Sequence, residues 1–593
     1  MTEAGPLRRP LLVGWALACL VLCLTMADSI RHLWFTDPDD AMRLLQARDW
    51  LAGQSWWDVG QHRLNGGDFS MHWSRVVDLP LAAGMLVLDP LIGEALSDRV
   101  VMTLVPLGTL LAIMGLAAAL TRATAGEAAA RLAILLVPLS TPLVQQVRPL
   151  RIDHHGWQIA LALAAALTLF GPATWKRGAA AGIALGALLT ISLEGLPITA
   201  AIMGVAALAW AVRPQRGAFL FALGWGVAVT VTVLHMATRG PDMWREACDA
   251  VSPAYVTLFL VAATTLTVVC ELPAERFAAR IASLALAGAA SGAALAVVTP
   301  ACLRGPFATL DPLVRQVWYL NVAEGLPIWR QTPAWGLTCV ALPIVGLIGA
   351  GLALRRAEGE ARWRWLLLLG LMGCSLAIAL LVARAAATAN ALAIPGAAWV
   401  LGRLLARART VKPVGGRVLA TAGALLSASP GLLVGMAGSA AALVRPPQSV
   451  FKAASRHPAC SMHADVRGLA ELPPGTVFAP LDISPDLIAT TRHKAIASGY
   501  HRNADAMRRV IAAFTGTPEE ARRIIEASGA DYLAGCPQLY EPDVYREIAP
   551  DGFWAQLDGG KRFPWLQPVR IRSTPVLAWR VVRRPLSDEP SRP

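Results

Sequence analysis

Apolar runs of about 17–25 residues recur from residue 11 to residue 444 and then stop. No other feature limits the fold as much. A run of that length crosses a bilayer as a helix whose backbone bonds to itself, and a chain with many such runs has lipid as its solvent. Composition agrees, with 55% hydrophobic and only 16% charged residues, against roughly a quarter charged in a soluble domain. The pattern predicts membrane helices near 11–27, 100–121, 131–146, 157–174, 178–193, 195–212, 217–237, 254–271, 281–300, 336–354, 365–383, 389–405 and 418–444, about thirteen crossings. The first run follows Arg8 and Arg9, but no small-residue cleavage site follows it, so it reads as an anchor rather than a signal peptide.

Leu79–Gly93 is shorter and is interrupted by Pro80, Asp89 and Pro90, which predicts an interfacial or re-entrant segment rather than a full span. Charge parity supports that choice. With the N-terminus in the cytoplasm, the inner loops carry Arg122 and Arg131; Lys176 and Arg177; Arg213 and Arg216; Arg276 and Arg280; Arg355, Arg356, Arg362 and Arg364; and Arg403, Arg407, Arg409 and Lys412. Counting Leu79–Gly93 as a crossing would invert every later loop. The net charge of +13 thus reads as orientation signal, and nucleic-acid binding is excluded as a function class. An odd number of crossings puts the C-terminus outside, in a plasma (inner) membrane whose lipid is the protein's first partner. The expected domains are a membrane domain, 1–444, and an extracytoplasmic domain, 445–593. Three outer loops, 28–99, 145–157 and 299–333, belong to the first.

Residues 445–593 mix short alternating apolar stretches, Gly475–Ala479 and Val576–Val582, with helical patterns at Ala504–Phe514 and Pro518–Ser528, as a compact soluble α/β unit would. Of nine cysteines, Cys19, Cys23, Cys270, Cys339 and Cys374 fall within or at the ends of apolar helices, where a small hydrophobe suits the site. Cys460 and Cys536 both lie in the outer domain, where a disulfide is chemically allowed, but spacing alone does not establish proximity.

The chemistry gathers in the outer loops. Asp37-Pro38-Asp39-Asp40 puts three carboxylates just outside a membrane helix, where they repel unless a cation or a proton-transfer role holds them. The same residues also read as a helix N-cap, with Asp39 or Asp40 preceding the amphipathic stretch Met42–Leu51. In the second loop, Asp153-His154-His155 offers a carboxylate and an imidazole two residues apart, a ligand pair for a divalent ion. The third loop carries Glu324 in Val322-Ala323-Glu324. Arg384 ends an apolar helix on the outer side, where a guanidinium grips phosphate bidentately or snorkels to the headgroups.

These residues resemble a family, the single-chain oligosaccharyltransferases of bacteria and archaea, which have thirteen membrane helices and an outer C-terminal domain within the GT-C class. The stretch from Asp39-Asp40-Ala41-Met42-Arg43 to Ala52-Gly53 resembles the family's first aspartate motif. Asp153-His154-His155 is similar to the archaeal form of the second, and Val322-Ala323-Glu324 to the mobile outer-loop motif. Arg384, with Pro395 in the next helix, resembles the arginine that holds the donor pyrophosphate.

The resemblance implies a polyprenyl-linked sugar donor and a divalent cation, manganese or magnesium in preference to zinc, held by Asp39, Asp153, His155 and Glu324. It also implies a catalytic role for Asp39, with Asp40 beside it, while Asp37, His154 and Glu194 are supporting candidates. The family's acceptor motif, Trp-Trp-Asp-Tyr-Gly, falls on Pro480-Leu481-Asp482-Ile483-Ser484, where only the Asp remains. Asp482 and the cluster Tyr500, His501, Arg502 are the candidates for facing the acceptor, which is a lipid, a saccharide or a protein. Trp56-Trp57-Asp58-Val59-Gly60 matches the acceptor motif more nearly but lies in the first outer loop, where paired tryptophans read as interfacial anchors.

A transporter or flippase of lipid-linked saccharides is the rival from another class. It predicts inverted repeats and mid-membrane ionisable groups, whereas here the carboxylates gather in outer loops. A receptor or peptide-binding module would leave the membrane motifs unexplained. Topology gives the first test. A periplasmic-type phosphatase fused after Pro593 is expected to be active, and a fusion active only with a cytoplasmic reporter would reject the outer-face site.

Overall fold

A computed structural model describes residues 7–272, 275–308, 310–429, 431, 433–434 and 460–583. Most of them form helices, and among the described residues nine are long and apolar enough to cross a membrane. The chain is a polytopic α-helical membrane protein with a C-terminal α/β region.

The observed helices follow the apolar runs closely, from Arg8–Thr25 at the start to Ala386–Arg409. One expectation is corrected. Pro138 and Pro142 split the run 131–146 into helix Glu127–Leu136, a 3₁₀ turn at Val137–Leu139 and the short helix Thr141–Val144, because each proline lacks the N–H that would continue the ladder. Asp78–Ile92 is one unbroken helix of 15 residues and is not among the nine. Pro80 falls in its first turn, where N–H groups have no helical partner, and Pro90 falls in its last. The final expected span, 418–444, is helical over Val414–Ser427 and at 431, 433 and 434, and 435–444 lie outside the described residues.

Small residues set the closest helix contacts. Gly178, Gly182 and Gly186 recur every fourth residue along helix Trp175–Ile191 and face helix Gly217–Arg239. A Cβ on Gly182 would stand 2.5 Å from the Leu223 carbonyl oxygen and 2.6 Å from the Gly226 Cα. Backbone against backbone is the association mode available where lipid removes the hydrophobic drive. Helices Pro333–Leu354 and Ala386–Arg409 meet in the same way, with a Cβ on Gly396 only 2.0 Å from the Gly346 carbonyl. Beside that contact the buried Asn390 donates to the Cys339 and Ala386 carbonyls, both at 2.8 Å, and accepts from the Ser140 hydroxyl at 3.1 Å. Arg177 and Arg216 cap the C-terminal carbonyls of helix His155–Thr168 and its exit, at Leu167, Thr168 and Leu169.

A second compact unit gathers His32–His72 and Phe307–Val322 with the C-terminal residues. Its sheet has five strands: β1 (Thr476–Phe478), β2 (Lys494–Ala495), β3 (Tyr532–Gly535), β4 (Leu566–Val569) and β5 (Leu577–Val581). They run in the order β2-β1-β3-β5-β4, with β1 parallel to both neighbours and the other pairs antiparallel. The expected helices appear as Ala504–Thr515 and Pro518–Ala527, the latter opened by a capping box between Thr517 and Glu520. Their apolar faces close a core of Phe478, Phe514, Phe553 and Trp554 over the sheet.

Two disulfides are present, Cys248–Cys302 in the membrane unit and Cys460–Cys536 in the C-terminal one. Such bonds persist in oxidising compartments, and all four cysteines lie in segments that charge parity assigns to the outside. The first bond had no sequence signal beyond two cysteines in different loops.

The glycine seam yields a stability prediction. Gly182→Val is expected to cost about 1–3 kcal/mol through forced helix separation, read as a lower thermal midpoint in detergent. Gly204→Ala, where an added Cβ meets nothing within 4 Å, should leave the midpoint unchanged.

Candidate functional site

The membrane unit brings six of the sequence-predicted residues together. Asp153 and His154 end the loop before helix His155–Thr168, and that loop is held in a strained shape. Leu150 is buried with φ of 68°, a conformation rare outside glycine, and its N–H donates to the Met102 carbonyl at 2.9 Å. Gly156 lets the helix start close in, since a Cβ there would lie 3.0 Å from the Gln146 carbonyl.

Glu194, Glu324 and Arg384 share a local setting. Each is the middle residue of a 3₁₀ turn, at Leu193–Gly195, Ala323–Gly325 and Ala383–Ala385. The turns are pinned: the Ser192 hydroxyl accepts the Glu194 N–H at 3.4 Å, and the Ala383 N–H donates to the Leu326 carbonyl at 3.0 Å.

The side chains form a continuous chain of charges. Asp153 Oδ1 lies 2.5 Å from His154 Nδ1, and Asp153 Oδ2 lies 3.4 Å from His155 Nε2 and 4.0 Å from Arg151. His154 Nε2 stands 3.6 Å from Glu194, which ion-pairs with Arg384, and the other Arg384 amino group lies 3.3 Å from Glu324. Burial alone would raise the Asp153 carboxyl, but His154 outweighs it and holds Asp153 well below the usual range. Burial likewise opposes the charge on His154, yet Asp153 and Glu194 carry its pKa up to about 10. Asp153, His154 and His155 bring carboxylate and imidazole atoms close together, and the Asp153 carboxylate and the His155 imidazole are the donors that suit a divalent cation, with the charged His154 paired to Asp153. Glu194 entered as a supporting candidate only. The fold makes it the link between the histidine and the arginine.

The C-terminal unit carries the other candidates. Asp37 is the N-cap of helix Pro38–Leu51, accepting the Asp39 N–H at 3.0 Å, so the cap is neither Asp39 nor Asp40, both of which lie in the first helical turn. Asp40 is fully buried. Helix Pro38–Leu51 packs against helix Ser484–Thr490, just after Asp482.

Asp482 itself follows β1, and the chain then crosses to β2 on one side and later to β3 on the other. That places it outside the carboxyl ends of parallel strands where the strand order reverses, the usual position of a ligand crevice in such sheets. Its turn is held from below by Glu541, a residue with no sequence signal. The buried Glu541 carboxylate accepts the Leu481 and Asp482 N–H groups, each at 2.9 Å, and the Tyr545 hydroxyl. Burial, then the nearby Asp37 charge, pushes the Asp482 carboxyl up to about 6. Burial, then Asp482, pushes Glu541 up to about 8.

Tyr500, His501 and Arg502 meet residues of the first loop and of Phe307–Val322 in the same unit. Tyr500 is buried with its ring 6.0 Å from Phe69, His501 lies 4.9 Å from the rings of both His72 and Phe307, and Arg502 donates to the Met71 carbonyl at 3.2 Å. In the stretch Trp56–Gly60, Asp58 accepts from the Gly60 N–H at 2.8 Å and faces His62, while Trp56 rests 5.0 Å from Trp50.

No protein-family model matches the chain, and no curated protein matches it. Solved structures do. The archaeal oligosaccharyltransferase AglB from Archaeoglobus fulgidus, in complex with an inhibitory peptide and a dolichol-phosphate, superposes with a TM-score of 0.65 at 14% identity, over 94% of this chain and 72% of that one. The same organism's oligosaccharyltransferase, tethered to an acceptor peptide containing the NVT sequon, gives 0.61 at 14% identity over 97% and 74%. Its complex with zinc and sulfate gives 0.54 at 15% over 88% and 67%.

The fold is that of a GT-C glycosyltransferase. In this chain the clustered ionisable groups sit in loops, at a helix start and in 3₁₀ turns. What sequence reading missed is Glu541 and the central place of Glu194, because neither lies in a motif.

The strained carboxyl at Asp482 gives a pH prediction. Its folded pKa lies above its unfolded value, so the unfolded chain loses that proton first and stability falls as pH rises from about 4 through about 6. Asp482→Asn is expected to raise the thermal midpoint at about pH 8 and to leave it unchanged at about pH 4. An equal shift at both would show that the carboxyl is not ionising against its neighbours.

Proposed function

We propose that this chain is a glycosyltransferase that moves a sugar or oligosaccharide from a polyprenyl-(pyro)phosphate donor to an acceptor at the outer face of the membrane. The observation that supports the reading is the run Asp153–His154–Glu194–Arg384–Glu324, with His155 beside Asp153, in which a carboxylate–imidazole pair and a guanidinium share one electrostatic network. The likeness to structures solved with dolichol-phosphate, with an acceptor peptide and with zinc and sulfate supports it.

In this reading Asp153 and His155 hold a divalent cation together with Glu324, and the sequence resemblance adds Asp39 to that set. Such a cation, when bound, neutralises charge that develops on the leaving phosphate. Arg384 grips the phosphate through paired N–H groups and fixes the anomeric carbon in line for attack. Asp39 orients or deprotonates the acceptor nucleophile, which attacks in a single inverting displacement. Asp482 faces the acceptor. Pro480 and Leu481 stand where the family has tryptophans and provide no indole N–H donors, so a sequon hydroxyl loses the walls that distinguish it from water. The acceptor is therefore a lipid, a saccharide or a protein marked otherwise than by Asn-X-Ser/Thr.

One assay tests these steps: purified protein, a lipid-linked donor matched to the host, and candidate acceptors with a sequon peptide among them. Transfer should fall by at least about a hundredfold on chelation and in Asp153→Ala, with the protein still folded. Full activity in either case removes the cation from the mechanism. Efficient sequon-dependent glycopeptide would overturn the acceptor reading alone.

A further inference from the structure

Arg384 is already occupied. Its two terminal amino groups, the pair a phosphate would bridge, are taken by Glu194 and Glu324. Glu324 has another claim on it as a candidate cation ligand, but Glu194 has none in the proposed chemistry. The Glu194 side chain is 40% exposed and that of Arg384 21%, so the pair lies open to an incoming group.

Glu194 also has somewhere to go. Its second oxygen lies 3.6 Å from His154 Nε2, just beyond hydrogen-bond length, so a side-chain rotation that releases Arg384 improves a contact already half made. Its backbone need not move, since the turn Leu193–Gly195 is anchored by Ser192.

We propose that Glu194 is the resident counter-ion of the donor-phosphate site: it holds Arg384 until the phosphate of a polyprenyl phosphate takes its place, and then turns to His154. The inference rests on the reading that Arg384 binds the donor. It gives Glu194 a definite role, setting how tightly the donor binds and how readily the spent lipid phosphate leaves. Two carboxylates on one guanidinium make the site repel anions in the resting state. A bound phosphate must replace a partner of the same charge, so net affinity is kept below what a free arginine would give. An enzyme that must release lipid phosphate after every transfer gains turnover from that weakness.

The test uses the full-length protein in detergent at fixed ionic strength and fixed manganese concentration, titrated with undecaprenyl phosphate and, separately, with inorganic pyrophosphate. Glu194→Gln keeps the shape and removes the charge. It should bind undecaprenyl phosphate about tenfold more tightly, and Glu194→Ala should shift the affinity in the same direction. In turnover the donor KM should fall without a rise in kcat. Arg384→Gln should weaken binding at least about tenfold, and adding Glu194→Gln to it should restore nothing, because the two act as one unit. Unchanged or weaker binding in both Glu194 variants, with Arg384→Gln still impaired, overturns the counter-ion role. Unchanged binding in Arg384→Gln overturns the donor reading itself. A gain for pyrophosphate equal to that for the lipid assigns the effect to the phosphate group, whereas a gain for the lipid alone would place Glu194 against the chain and overturn the exchange.

Discussion

Charge in hydrocarbon has no solvent, so an ionisable side chain on a membrane helix is stable only beside a partner or at an end. The run from Asp153 through His154, Glu194 and Arg384 to Glu324 satisfies both conditions at once. Each member sits in a loop, at a helix start or in a 3₁₀ turn, and each has an opposite or hydrogen-bonding neighbour. The rest of the membrane unit follows from holding those ends in place. The strained Leu150, the anchored 3₁₀ turns and the Asn390 clamp are all devices that fix where helices begin.

The helices themselves are fixed by absence of side chain. Glycines at Gly178, Gly182 and Gly186, and at Gly346 and Gly396, bring backbones into contact, where packing and weak polar contacts replace the hydrophobic effect. Those seams are rigid because any added atom meets a carbonyl.

In the C-terminal unit the same logic appears in water. Glu541 ties down the turn that carries Asp482, at the cost of burying two carboxyls whose pKa values rise, Asp482 by burial and then Asp37, Glu541 by burial and then Asp482. Proteins retain such strained groups where a function uses them. Asp482 follows the carboxyl end of β1, between the strands that β1 pairs with on either side.

Sequence by itself determined the membrane class, nearly every helix, the α/β character of the tail and most of the ionisable candidates. These are local properties: a run of apolar residues, an alternating strand, or an Asp-His-His triplet carries its meaning within a few neighbours. It misjudged the run 131–146, which Pro138 and Pro142 divide, because the effect of a proline depends on which turn of the helix receives it. Only the tertiary structure decided that Glu194 joins His154 to Arg384, that Glu541 supports Asp482, and that Cys248 bonds Cys302. Each of those depends on residues from separate elements meeting in space, and pairing across 54 or 190 positions leaves no periodicity in the sequence to mark it.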